Sequence, residues 1–170
     1  MTWTSDLLVE EIGSPQRIAP FSVAVSAELL SAGDVAASGR LILLHDPAGN
    51  ESWEGTFRVV TLTRADVDLE MVTDPLLPDV AWSWLTDALE LHAADHAALA
   101  GTVTASYGRG FGRMSGEAEQ AEVEVRASWT PRLHEDGALT GHLSAWQELL
   151  RLVGGTPSLP PGVVQFPVRQ

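Results

Sequence analysis

Three clusters of residues carry side chains that could do chemistry. The first is a strand-end corner: His45 and Asp46, with Trp53, Glu54 and Arg58 just across the following turn. An imidazole beside a carboxylate is a general acid–base pair, and the corner could also hold a small molecule. The plainer alternative has Asp46, ahead of Pro47, capping the turn while His45 ends a strand and bonds Glu54 or Arg58. The second cluster is His92-Ala93-Ala94-Asp95-His96. Its i, i+4 spacing would stack two imidazoles on one helix face, a metal-ligand arrangement. Two ligands make no site, no Glu follows His92 as the zinc-protease motif requires, and a histidine half-buried beside an apolar stripe is ordinary. No metal is therefore expected. The third is the loop Gly108-Arg109-Gly110-Phe111-Gly112-Arg113-Met114-Ser115-Gly116. Glycines and arginines could cradle a phosphate, but the loop joins two strands, opens no helix and lacks the P-loop lysine. It reads as a hairpin loop, or as an interaction loop with Phe111 as an aromatic anchor between Arg109 and Arg113. No serine nucleophile elbow is present, and no cofactor is expected.

The elements that position these residues belong to one domain, 1–170, ending in an extended Pro/Gly-rich tail over 154–170. A chain of 170 residues buries a core without metal or disulfide, and cysteine is absent. No apolar stretch approaches the roughly 20 residues of a membrane span, and the N-terminus shows no signal peptide, so a cytoplasmic protein is expected. Asp and Glu number 23 against 10 basic residues, all arginine, for a net charge of −13. That balance argues against nucleic acid and anionic membranes as partners. Between Ala65 and Tyr107 there is no arginine, while Asp66, Asp68, Glu70, Asp74, Asp79, Asp87, Glu90 and Asp95 accumulate. This stretch is either a solvated surface or a docking surface for a basic partner.

Period-two alternation predicts strands over Ile18–Leu30, Thr102–Tyr107 and Ala121–Trp129, and apolar β-branched runs predict two more over Gly39–His45 and Trp53–Arg64. A helix capped by Asp79 is expected to run to about Leu99, with Val80, Trp84, Ala88 and Leu91 on one stripe. Trp84 is then expected in the core, and Trp82 at its edge against another helix or a partner. A last helix covers Leu139–Val153 and stops at Gly154-Gly155. The order β-β-β-α-β-β-α predicts an α+β fold: a five-stranded, mainly antiparallel sheet with helices on one face. The other face would carry Ser22, Ser26, Glu28, Thr102, Thr104, Ser106, Glu122, Glu124 and Arg126 into water.

Three segments, Ser14-Pro15-Gln16-Arg17-Ile18-Ala19-Pro20-Phe21, Leu44-His45-Asp46-Pro47-Ala48-Gly49 with Trp53 to Val60, and Asp74 to Leu85, resemble an actinobacterial family known only as a domain of unknown function. The resemblance covers nearly the whole chain. It implies encoding near uroporphyrinogen decarboxylase and a ribonuclease D-like protein, and an additional N-terminal helix. With that helix the order would be similar to the secretion-chaperone-like fold. Two functions are weighed on these residues. One is a non-catalytic protein-interaction or chaperone-like adaptor using Trp82, Arg109, Phe111 and Arg113, with a protein partner or a second copy. The other is a small-molecule binder or enzyme built on His45, Asp46, Trp53 and Arg58.

Overall fold

Alternating and β-branched runs pair into a six-stranded antiparallel sheet in the computed structural model, which describes residues 3–133 and 138–156. β1 (Leu7–Ile12), β2 (Phe21–Ser31), β3 (Asp34–Asn50) and β4 (Gly55–Asp66) form a meander. β5 (His96–Gly108) takes the far edge, and β6 (Gln120–Pro131) returns between β5 and β4, giving the order β1-β2-β3-β4-β6-β5. The short α1 (Leu69–Val72) and α2 (Leu77–Leu91) lie between β4 and β5, and α3 (Thr140–Val153) follows β6. The α+β class and antiparallel sheet agree with the alternation, but the strands number six where five are expected. The additional strand is β1, which is also the first described element, ahead of which the resemblance implies a helix. Its run Leu7-Leu8-Val9-Glu10-Glu11-Ile12 hides the alternation, because apolar and acidic residues come in blocks. Two adjacent glutamates suit an edge, where charge discourages pairing with another chain.

The core lies between the sheet and the two longer helices. Val123, Val125, Ala127 and Trp129 of β6 point inward and are buried, as their alternation predicts. They meet Leu85 and Leu89 of α2, and Trp146, Leu149 and Leu150 of α3. The two fully buried indoles each find an acceptor: Trp146 Nε1 donates to Thr63 Oγ1 at 3.2 Å, and Trp129 Nε1 to His142 Nδ1 at 3.1 Å. A buried indole N–H without such a partner would cost free energy.

α2 departs from the expected stripe and from both expected ends. Asp74 Oδ1 accepts from Leu76 N, and the helix starts at Leu77 with Pro78 in its first turn, a position proline favours, so Asp79 is a first-turn acid and not the cap. Leu77, Ala81, Leu85, Ala88 and Leu89 are buried, whereas Val80 and Leu91 are exposed. Neither tryptophan is fully buried. Trp84 lines a surface cleft beside Asp68, Met71 and Val153. Trp82 packs on β5, where a Cβ on Gly101 would stand 2.6 Å from its ring. Trp82 thus lies against a strand at the edge of the core.

The two long helices end in the same way, although only one ending is legible in the sequence. In α3, Gly155 takes φ +69° while Gly155 N bonds Leu152 O and Thr156 N bonds Arg151 O. In α2, Ala93 takes φ +48° while Ala93 N bonds Glu90 O and Ala94 N bonds Leu89 O. Both patterns are Schellman endings with the left-handed residue just past the cap. Glycine marks the first. Alanine disguises the second, which is why α2 stops at Leu91 and not near Leu99. Since alanine carries a Cβ penalty in this conformation, Ala93→Gly is expected to raise stability by about 0.5–1 kcal/mol, read as a shifted urea midpoint.

The N-terminal segment is clamped to α3. Arg151 reaches Asp6 with both guanidinium ends, at 2.5 and 2.7 Å, and Thr4 Oγ1 at 2.6 Å. The hydrogen-bonded Arg151 holds the Asp6 carboxyl at about 2, below its ordinary 3.8, and outweighs the opposing effect of burial. A depressed folded-state value contributes stability above the unfolded value and loses it as pH falls toward the folded one. Asp6→Asn is therefore expected to cost about 1 kcal/mol at neutral pH, after allowance for solvent screening. The difference between the two proteins should vanish as pH is lowered through about 2. An unchanged gap in acid would refute the ion pair. Among the described residues, no helix is long and apolar enough to cross a membrane.

Candidate functional site

Register decides the strand-end corner. His45 pairs with Phe57 and Leu44 with Arg58 across β3 and β4. Successive side chains point to opposite faces, so His45 and Arg58 lie on opposite sides of the sheet. His45 stacks on Phe57 with ring centroids 4.1 Å apart and 6° between planes, and Phe21 flanks it at 5.9 Å. Asp46 Oδ1 accepts from Ala48 N at 3.0 Å, the turn-capping role. Trp53 closes a 3₁₀ turn (Glu51–Trp53), and its carbonyl accepts from the Thr130 hydroxyl. Glu54 follows with φ +57°.

Arg58 is buried and spends its guanidinium on protein groups: Ala98 O at 2.9 Å, Thr130 Oγ1 at 3.2 Å and Ser128 Oγ at 2.8 Å. Burial lowers its pKa, and the charge of Glu54 offsets part of that. Ala98 takes φ +50° at the irregularity in β5, so Arg58 pins a strained bulge. Arg58 and the Trp53 carbonyl thus meet at the Thr130 hydroxyl, with the Glu54 charge acting on Arg58, while His45 lies on the opposite side of the sheet.

The histidine pair is separated by the Schellman turn. His92 caps α2, and His96 begins β5 with its Nδ1 2.8 Å from Ala94 O. They do not share a helix face. Among the described residues, no group of three or more metal-ligating side chains occurs.

The glycine–arginine loop forms the tip of the β5–β6 hairpin, with a 3₁₀ turn at Gly112–Met114. Phe111 is 76% exposed. Arg109 pairs with Glu119 at 3.2 Å and lies 5.9 Å from the centre of the Phe111 ring. Arg113 is exposed in the turn. Trp82 is not part of this cluster: Gly101, its seat, lies seven residues from Gly108, about 23 Å along the strand.

A different set of residues converges on the sheet face that the helices leave uncovered. Antiparallel register lays them out in rows across β2, β3, β4, β6 and β5. One row reads Ser26, Arg40, Leu62, Arg126, Thr102; the next reads Ala24, Ile42, Val60, Ser128, Ala100. Beside them runs Glu28, Ser38, Arg64, Glu124, Thr104. Ile42, Val60 and Leu62 thus floor a shallow depression of about 650 Å³ between Arg40 and Arg126. Arg58 and Arg64 stand at its two ends along β4, by alternation with Val60 and Leu62.

Four of the ten arginines therefore gather on one face of a chain of net charge −13. Arg126 bonds Glu124 at 2.6 Å, and Arg64 Nε donates to Ser38 at 3.3 Å. Arg40 is exposed, and among the described residues no ion pair engages it. Glu28, Thr102, Thr104, Glu124 and Arg126 are on this face as expected. The central residues Arg40, Ile42, Val60, Leu62 and Arg64 are the ones sequence reasoning missed. The signal was their even spacing out of phase with Leu41, Val59 and Thr63. On the helix side a smaller cleft of about 180 Å³ beside Trp3, Val23, Val25 and Leu143 is apolar, with no charged side chain to orient a ligand.

A family model described as "Protein of unknown function (DUF3000)" matches residues 1–164. No curated protein and no solved structure matches the chain.

Proposed function

The chain belongs to the DUF3000 family, and we propose that it is a non-catalytic protein-interaction domain, an adaptor of chaperone-like kind, that binds its partner on the uncovered sheet face. The observation that carries this reading is the aliphatic floor of Ile42, Val60 and Leu62 set between Arg40 and Arg126. Aliphatic side chains on a solvent-facing sheet cost free energy unless something covers them, and charged side chains around them give that cover its orientation. The placement of His45 and Arg58 on opposite sides of the sheet favours this reading over the enzyme alternative. The hairpin tip with Arg109, Phe111 and Arg113 belongs to the same β5–β6 pair and offers the partner a second, aromatic contact.

The test is a footprint. A partner captured by the full chain from its native host is added back, and amide hydrogen exchange is followed residue by residue. Slowed exchange in β3, β4 and β6 around Arg40, Leu62 and Arg126, with capture lost in Leu62→Asp, is the expected result. Protection confined to α2 and α3, or capture indifferent to Leu62→Asp, would refute the reading.

A further inference from the structure

We infer that the occupant of this face is an acidic amphipathic helix laid along β4, an inference that rests on the reading of the face as the contact surface. The backbone argues first. β3, β4 and β6 each have strand neighbours on both sides, so their main-chain donors and acceptors are spent in the ladders. A segment lying on a sheet face finds no strand edge to pair with, and must satisfy its own N–H and C=O groups. A helix does so, whereas an extended segment does not.

Dimensions agree. Val60 and Leu62 share the face, two residues and therefore about 6.7 Å apart along β4. Aliphatic residues at i and i+4 of a helix rise about 6 Å and can seat over that pair. Arg40 and Arg126 flank Leu62 one strand away on either side, so their Cα atoms lie about 9.6 Å apart. That gap takes a helix about 10–12 Å across with side chains only if its flanks interleave with the two arginines.

Charge selects the sign of those flanks. Arg40, Arg58, Arg64 and Arg126 surround the floor; Glu124 pairs with Arg126, and the charge of Glu54 acts on Arg58. Arg58 brings a buried cation whose hydrogen-bond partners are all neutral. Carboxylates on both sides of the incoming aliphatic stripe would meet Arg40 and Arg126, while lysines there would face like charge. Glu10 and Glu28 lie beyond Arg40 and Arg64 in the neighbouring depression. They confine the favourable zone to the three central strands.

The experiment uses the full chain, isotope-labelled, and three synthetic peptides of about 18 residues, long enough for several helical turns. One carries leucines at i, i+4 flanked by glutamates. The second has lysines in place of the glutamates, and the third has serines in place of the leucines. The glutamate–leucine peptide should shift the amide signals of Arg40, Leu62 and Arg126. Its affinity should fall about tenfold or more in the double variant Arg40→Gln, Arg126→Gln, and stay unchanged in Arg17→Gln, an exposed arginine in the β1–β2 connection. Arg40 and Arg126 are exposed, so the double variant should keep its melting temperature. Should it not, Arg40→Gln alone serves. Equal or tighter binding of the lysine peptide, shifts on α2 and α3, or no binding by the glutamate–leucine peptide each overturn the inference. A natural partner that footprints on this face through a basic or extended segment would overturn the helix and leave the interaction reading standing. One that footprints elsewhere would end both.

Discussion

Trp146→Ala is expected to remove about 3–5 kcal/mol of folding stability, the usual cost of truncating a fully buried tryptophan. Against a total of about 5–15 kcal/mol for a domain, that loss brings the protein close to unfolding at room temperature. Trp146 has no solvent exposure and joins three parts of the molecule. Its indole N–H satisfies Thr63 of β4, its ring edge meets Trp3 at a 6.3 Å centroid distance, and its six-membered ring lies over Gly39 of β3. A Cβ on Gly39 would come within 3.0 Å of that ring, so neighbouring groups have little room to collapse into the space. Urea unfolding of wild type and variant checks the figure. Trp146→Phe should recover much of the loss but leave the buried Thr63 hydroxyl without its donor. A midpoint for Trp146→Ala within error of wild type would contradict this packing.

Arg58→Leu is expected to cost about 2–3 kcal/mol, because its three hydrogen-bond partners stay buried or part-buried when the guanidinium goes. Removing a buried charge recovers some desolvation free energy, which keeps the cost below that of three orphaned groups. The damage should be local as well as global. Ala98 takes a left-handed conformation at the β5 irregularity, and its carbonyl is held by Arg58 Nη1. Hydrogen exchange at Ala98, Leu99 and Ala100 should therefore accelerate more than in β2 or β3. Unchanged stability together with unchanged exchange would mean that Arg58 does not pin the bulge.

Those two side chains also mark how far the residues could be read before their neighbours were known. Trp146 falls on the Leu139, Leu143, Trp146, Leu150 stripe of a helix whose end glycines announce, and its burial follows from periodicity alone. Arg58 looked like a partner for His45 because the two are close in sequence across a turn. Pairing of Leu44 with Arg58 put them back to back. The end of α2 was hidden for a different reason: alanine at φ +48° leaves no trace in composition. β1 was hidden by its blocks of like residues at a sheet edge.

By itself the sequence determined what short-range physics can carry. Alternation sets the inward and outward sides of β2 and β6, glycine marks the stop of α3, and the excess of Asp and Glu sets the acidic charge. Only the tertiary structure decided which outward residues stand together. Arg40, Leu62 and Arg126 form one row because β4 pairs β6 directly, while two helices and β5 intervene between them in the chain. A row across a sheet is a product of long-range pairing, whereas periodicity reports only on residues within one strand.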